Sequence, residues 1–93
     1  MLLRVIFSVA IAVYARRTNR FDRDFAVAPT AIQQAFEKQL GYLISDMRHP
    51  SLRAKKYDEG RGIWQARVTR DWRFYFLING DIYILLTLNR HPK

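Results

Sequence analysis

Twelve of the sixteen cationic side chains are arginines, and two of them, Arg67 and Arg73, flank a short polar break in a run of alternating residues. A guanidinium is planar, stays charged and can hold two phosphate oxygens at once, whereas a lysine acts as a point charge. If the chain folds back between them, the two arginines face one way, and like charges held opposite each other call for an anion. His91 adds a group whose ordinary pKa of about 6.5 lets it give or take a proton near neutrality. These residue types suit binding and proton transfer at a phosphate.

The whole chain leans the same way. Sixteen Lys and Arg against eight Asp and Glu give a net charge of +8 and a pI near 10.5, which favours polyanionic partners. A surface kept soluble by excess charge, or one neutralised by an acidic protein, fits the composition equally, so position must decide. There is no cysteine, which removes disulfides and thiol chemistry, and two histidines give no convincing metal-ligand set. No cofactor is expected.

At 93 residues with six Phe, five Tyr and two Trp, the chain is expected to form one domain over residues 1–93 with a single core. Leu3, Val5, Phe7, Val9, Ile11 and Val13 alternate as in a strand. The run from Met1 to Ala15 is too short for a bilayer-spanning helix, which needs about 20 apolar residues, and although Val13-Tyr14-Ala15 would pass for a signal-peptidase site, a strand in a cytoplasmic protein is the expectation. Arg16 to Arg20 breaks the pattern, and Thr18 or Asn19 is placed to cap a helix carrying Phe21, Phe25 and Ala28. Beyond Pro29, the residues Ile32, Ala35, Phe36, Leu40, Leu43, Ile44 and Met47 recur at helical spacing. That helix should stop before His49-Pro50. Residues 51–62 read as a loop or an irregular edge strand.

Three strands follow, over about 64–68, 72–78 and 82–88. A three-residue Thr69-Arg70-Asp71 loop pairs Ala66 with Phe74 and Arg67 with Arg73. An Ile78-Asn79-Gly80 loop would pair Phe76 with Ile82 and Phe74 with Ile84, keeping Trp64, Ala66, Val68, Trp72, Phe74, Phe76, Ile82, Ile84, Leu86 and Leu88 on one face. The opposite face then gathers Gln65, Arg67, Arg73, Tyr75, Tyr83, Thr87 and His91, with Leu77 and Leu85 among them as a hint of a covering partner. The fold expected is α+β: an N-terminal strand, a two-helix hairpin and a three-stranded antiparallel meander, with the helices on one face of the sheet.

The stretches His49 to Tyr57 (HPSLRAKKY) and Gly62 to Phe76 (GIWQARVTRDWRFYF), the Asn79-Gly80-Asp81 hairpin and the ending from Asn89 to Lys93 resemble the RelE/ParE toxin family of bacterial toxin–antitoxin systems. The resemblance runs from about Phe21 onward and implies the same fold. It implies a metal-independent endoribonuclease that cuts messenger RNA in the ribosomal A site by 2′-hydroxyl attack. It also implies a cognate antitoxin as partner, with no membrane involved. By position, Arg67 and Arg73 match phosphate-binding arginines, Lys55 and Lys56 the basic pair before the sheet, and His91 an acid/base position. Arg53 joins the RNA-binding set, and Tyr75 and Tyr83 are candidates for stacking on bases. His49 is more naturally a cap than a catalyst. Two other functions fit the same pattern: a ParE-like inhibitor of DNA gyrase without catalysis, and an inactive basic nucleic-acid-binding remnant.

Overall fold

The computed structural model describes residues 14–91, so the alternation from Leu3 to Val13 lies outside the described residues. Strand β1 (Tyr14–Arg17) leads into helices α1 (Asn19–Val27) and α2 (Thr30–Ser45) and a 3-10 turn (Pro50–Leu52). Strands β2 (Lys55–Asp58), β3 (Ile63–Thr69), β4 (Trp72–Asn79) and β5 (Ile82–Arg90) follow. They form one five-stranded sheet in the order β1-β5-β4-β3-β2, with β1 parallel to β5 and the other pairs antiparallel. The architecture is the expected α+β layer of helices on one face of a sheet. One detail differs: Arg16 and Arg17 continue the first strand instead of breaking it. Residues 55–58 form the irregular edge strand, one of the two expected readings, and give the meander four strands.

The helices begin where the sequence signals them. Thr18 caps α1, its hydroxyl oxygen accepting from the Phe21 amide at 3.1 Å, and Pro29 stands at the head of α2, its carbonyl taking the amides of Ile32 and Gln33. The buried residues of α2 are Phe36, Gln39 and Leu43, while Ile44 is 37% exposed; the buried stripe is therefore rotated from the purely apolar one. Gln39 earns its place by hydrogen bonding. Its amide nitrogen donates to the carbonyls of Arg67 at 2.8 Å and Ser51 at 3.1 Å, satisfying groups that would otherwise be left unpaired under the helix.

Between the layers, Phe36 meets Phe21 at 5.0 Å and Phe74 edge-on at 5.1 Å, both geometries that aromatic pairs prefer. Phe21, Phe36, Leu43, Leu52, Ala66, Phe74, Phe76 and Leu85 are completely buried. Alternation on β3 and β4 sends Ala66, Phe74 and Phe76 to this core and Gln65, Arg67, Arg73 and Tyr75 to the other face.

Thr69 pairs with Trp72, so the β3–β4 turn is the two-residue Arg70-Asp71 and not the expected three-residue loop, but a bulge at Val68 makes up the difference and the register beyond it is the expected one, with Ala66 opposite Phe74 and Arg67 opposite Arg73. The β4–β5 register is not. Asn79 pairs with Ile82, so the turn is the two-residue Gly80-Asp81, with Gly80 at φ +63°, the positive angle that a II′-type hairpin asks of its first central residue. Phe76 consequently faces Leu85, not Ile82, and Phe74 faces Leu88, not Ile84. A bulge at Leu86, between the pairs Phe76–Leu85 and Tyr75–Thr87, absorbs the extra residue and restores the phase. Tyr83 and Leu85 therefore belong to the core, correcting their expected place on the polar face.

The bulge is held from a distance. The Thr18 hydroxyl donates toward the Leu85 and Leu86 carbonyls at 2.9 and 3.2 Å, and the Asp24 carboxylate accepts from the Leu88 amide at 3.1 Å. One side chain thus caps a helix and satisfies the irregular strand beside it. Thr18→Ala should lower stability by about 1–2 kcal/mol, seen as a lower urea midpoint, while Thr18→Ser, which keeps the hydroxyl, should recover most of the loss.

Candidate functional site

On the face of the sheet away from the helices, a hollow of about 260 Å³ is lined by Arg53, Lys55, Gln65, Arg67, Arg73 and His91. Among the described residues no carboxylate lines it. Arg67 and Arg73 enter from paired positions on adjacent strands, and Lys55 from the edge strand, where it is opposite Gln65. Arg53 reaches it from a left-handed residue, φ 45°, that closes the 3-10 turn. A non-glycine residue costs about 1–3 kcal/mol in such a conformation, and strain of this kind collects at functional sites.

The two central arginines are held differently. Arg73 spends one end of its guanidinium on the hairpin: Nη1 donates to the carbonyls of Thr69 at 2.8 Å, Arg70 at 3.0 Å and Trp72 at 3.0 Å. Arg67 is left needing a partner. Its Nε is sealed from solvent and has no hydrogen-bond partner among the described residues. Burial, then the charges of Arg53, Arg73 and Arg70, push its pKa below the ordinary guanidinium value, the direction expected when a cation is desolvated among cations. An oxyanion entering the hollow would meet the outer guanidinium nitrogens of Arg67, which are not sealed, and offset the repulsion.

His91 is exposed and anchored by its backbone, whose amide donates to the Asp71 carbonyl at 2.6 Å. That bond ties the end of β5 to the β3–β4 hairpin and brings the imidazole to the hollow's rim. The structure thus gathers Arg53, Lys55, Arg67, Arg73 and His91 at one place.

Three expectations need correcting or refining. Lys56 points to the other face: it pairs with Trp64, lies 5.1 Å from that ring's centre and is 3.9 Å from the Glu59 carboxylate. Tyr83 cannot stack on a base from the core, where it packs edge-on against Phe76 at 5.4 Å; burial and then the Asp46 carboxylate raise its pKa. Tyr75 does face the site side, but its ring is largely buried and its hydroxyl accepts from Gln65 at 3.0 Å. His49 stacks on Tyr42 at 3.7 Å and accepts from the Ser51 amide through Nδ1, capping the 3-10 turn and lying outside the hollow. Gln65 and Gln39 were missed as contributors; Gln65 shares the parity of Arg67, a signal the sequence already carried.

Arg67 carries a depressed pKa, so its charged form is disfavoured by folding throughout the neutral range. Removing the charge should stabilise the free protein. Arg67→Gln is expected to gain roughly 0.2–1 kcal/mol by relieving the cross-strand repulsion, and added inorganic phosphate should raise the melting temperature of the wild type more than that of the variant. A destabilised variant, indifferent to phosphate like the wild type, would count against an anion site.

No protein-family model and no curated protein matches the sequence. Solved structures do match the fold. The archaeal RelE–RelB complex from Pyrococcus horikoshii OT3 contains a chain with a TM-score of 0.71 at 14% identity, covering 85% of this chain and 94% of that one. The E. coli DinJ–YafQ toxin–antitoxin complex gives 0.71 at 12% identity, covering 86% and 93%. The YoeB dimer from Staphylococcus aureus gives 0.73 at 8% identity, covering 87% and 99%. Among the described residues no helix is long and apolar enough to cross a membrane. The chain has the RelE-like fold.

Proposed function

We propose that this chain is the toxin of a bacterial toxin–antitoxin pair and acts in the cytoplasm as a ribosome-dependent endoribonuclease on messenger RNA. The observation that carries the reading is the hollow itself, where among the described residues four cations and a histidine converge without a carboxylate and one guanidinium nitrogen is buried and unpaired. The fold shared with RelE, YafQ and YoeB chains supports it.

In this reading the scissile phosphate sits against Arg67 and Arg73, with Arg53 and Lys55 drawing in the flanking backbone. The ribose 2′-oxygen attacks the adjacent phosphorus, the bond from phosphorus to the 5′-oxygen breaks, and a 2′,3′-cyclic phosphate and a 5′-hydroxyl result. The arginines stabilise the negative charge that gathers on the phosphorane oxygens. One proton leaves the 2′-hydroxyl and one reaches the departing oxygen; His91 is the group at the rim able to serve either transfer. The scheme uses no metal or organic cofactor. The partner antitoxin is an acidic or amphipathic segment covering the same face, which would block the hollow and neutralise its charge.

Inducible expression of the wild type beside Arg67→Gln and His91→Ala, read by pulse-labelled translation and mapping of transcript 5′ ends, tests the reading. Arrest with transcript cleavage is expected for the wild type, reduced by about 100-fold or more in His91→Ala if it transfers a proton in the transition state. Intact transcripts and continuing translation would sink it, and inhibition of DNA gyrase would then be the assay to run.

A further inference from the structure

Beside the cationic hollow, on the same face, lies a larger one of about 500 Å³. Gln65 and His91 line both, so the two adjoin. The character changes across that border. The second hollow is walled by Tyr57, Tyr75, Ile63 and Leu86, with the Tyr57 and Tyr75 rings edge-to-face at 4.9 Å. Tyr57 remains 60% exposed, leaving its ring open to a ligand.

Two of these walls lie where the strands are irregular. Tyr57 is the extra residue of the bulge between Lys56 and Asp58 in β2, as Leu86 is in β5. Tyr57 shares the parity of Lys55, and Leu86 follows the core residue Leu85, so both face this side, and the bulges leave each without a strand partner at the wall of one cavity. Gln65 supplies the polar edge. Its Nε2 is committed to the Tyr75 hydroxyl at 3.0 Å, whereas its Oε1 takes no hydrogen bond from the described residues and is not sealed from solvent.

We propose that this hollow holds one nucleobase of the RNA whose phosphate occupies the neighbouring hollow. The base stacks on Tyr57, and Gln65 Oε1 accepts a hydrogen bond from an exocyclic amino group, which favours the bases that carry one, cytosine and adenine among them, over uracil. The assignment rests on the phosphate reading of the cationic hollow. An aromatic face, an apolar floor and one oriented acceptor next to a phosphate site are what recognition of an unstacked base requires.

Calorimetric titration of the full chain at low salt with 2′-O-methyl trinucleotides, which lack the attacking hydroxyl, tests this. The probes are cytidine, adenosine and uridine trimers and an abasic ribose-phosphate trimer. The cytidine and adenosine trimers should bind roughly ten-fold or more tightly than the abasic one, with uridine several-fold weaker than cytidine. Tyr57→Ala, at an exposed position, should erase most of the advantage of a base while leaving abasic binding unchanged. Abasic binding as tight as cytidine binding would overturn the base site and leave the phosphate site standing, and the hollow would then be free for a protein segment. Equal binding of uridine and cytidine would overturn the role of Gln65. If neither the abasic trimer nor inorganic phosphate binds, the phosphate reading fails and this assignment with it.

Discussion

Two cations held face to face across a strand pair, Arg67 and Arg73, are the tension around which the rest of this structure is arranged. Strand pairing alone would not choose that contact, since like charges directly opposite are unfavourable. It is imposed from the other side of the sheet. With a side-chain period of two, the register that buries Ala66 against Phe74 necessarily sets Arg67 against Arg73. Phe74 is in turn fixed by Phe36 of α2, and Gln39, one turn on, binds the backbone carbonyl of Arg67. Apolar burial, worth about 25 cal/mol per Å², outweighs a surface repulsion of a fraction of a kcal/mol.

The compensations around the pair follow from this. Arg73 is braced by three carbonyls of its own hairpin, while Arg67 is left with a buried, unpaired nitrogen. The asymmetry separates a cation that shapes the loop from one that awaits a ligand. Acidic residues are engaged elsewhere: Asp22 binds Arg17 at 2.7 Å, Asp24 holds the Leu88 amide, and Asp58 is engaged by Arg61 at 2.9 Å, which lowers its pKa.

The part of the site legible in the sequence is the part governed by short-range arithmetic. The β3–β4 hairpin is a local connection, and counting across it places Arg67 opposite Arg73 and Gln65 and Tyr75 on their face, because the bulge at Val68 makes up for a turn one residue shorter than the expected loop. The α1 cap at Thr18 was legible for the same reason. The β4–β5 pairing was not, because its bulge is supported by Thr18 and Asp24, more than sixty residues away in sequence. A parity count that assumes regular strands must then misplace everything on one side of Leu86, as it did Tyr83 and Leu85. Lys56 failed differently: two adjacent lysines read as a pair, yet in an extended strand neighbours point opposite ways. The polar Gln39 was passed over on α2 because an apolar stripe does not reveal which strand carbonyl lies beneath it.

The bulged residues Tyr57 and Leu86 stand outside the strand pairing that ties their neighbours to the core. Most side chains on this face cannot drift without their strand partners drifting too, since each is the reverse side of a packed position. Tyr57 and Leu86 are exempt from that bond. Their identities can change while the hydrophobic layer keeps its register, so a cavity wall can be rebuilt on a scaffold that stays still. In a lineage of such chains, the lining of this hollow is where diversification meets least resistance from folding.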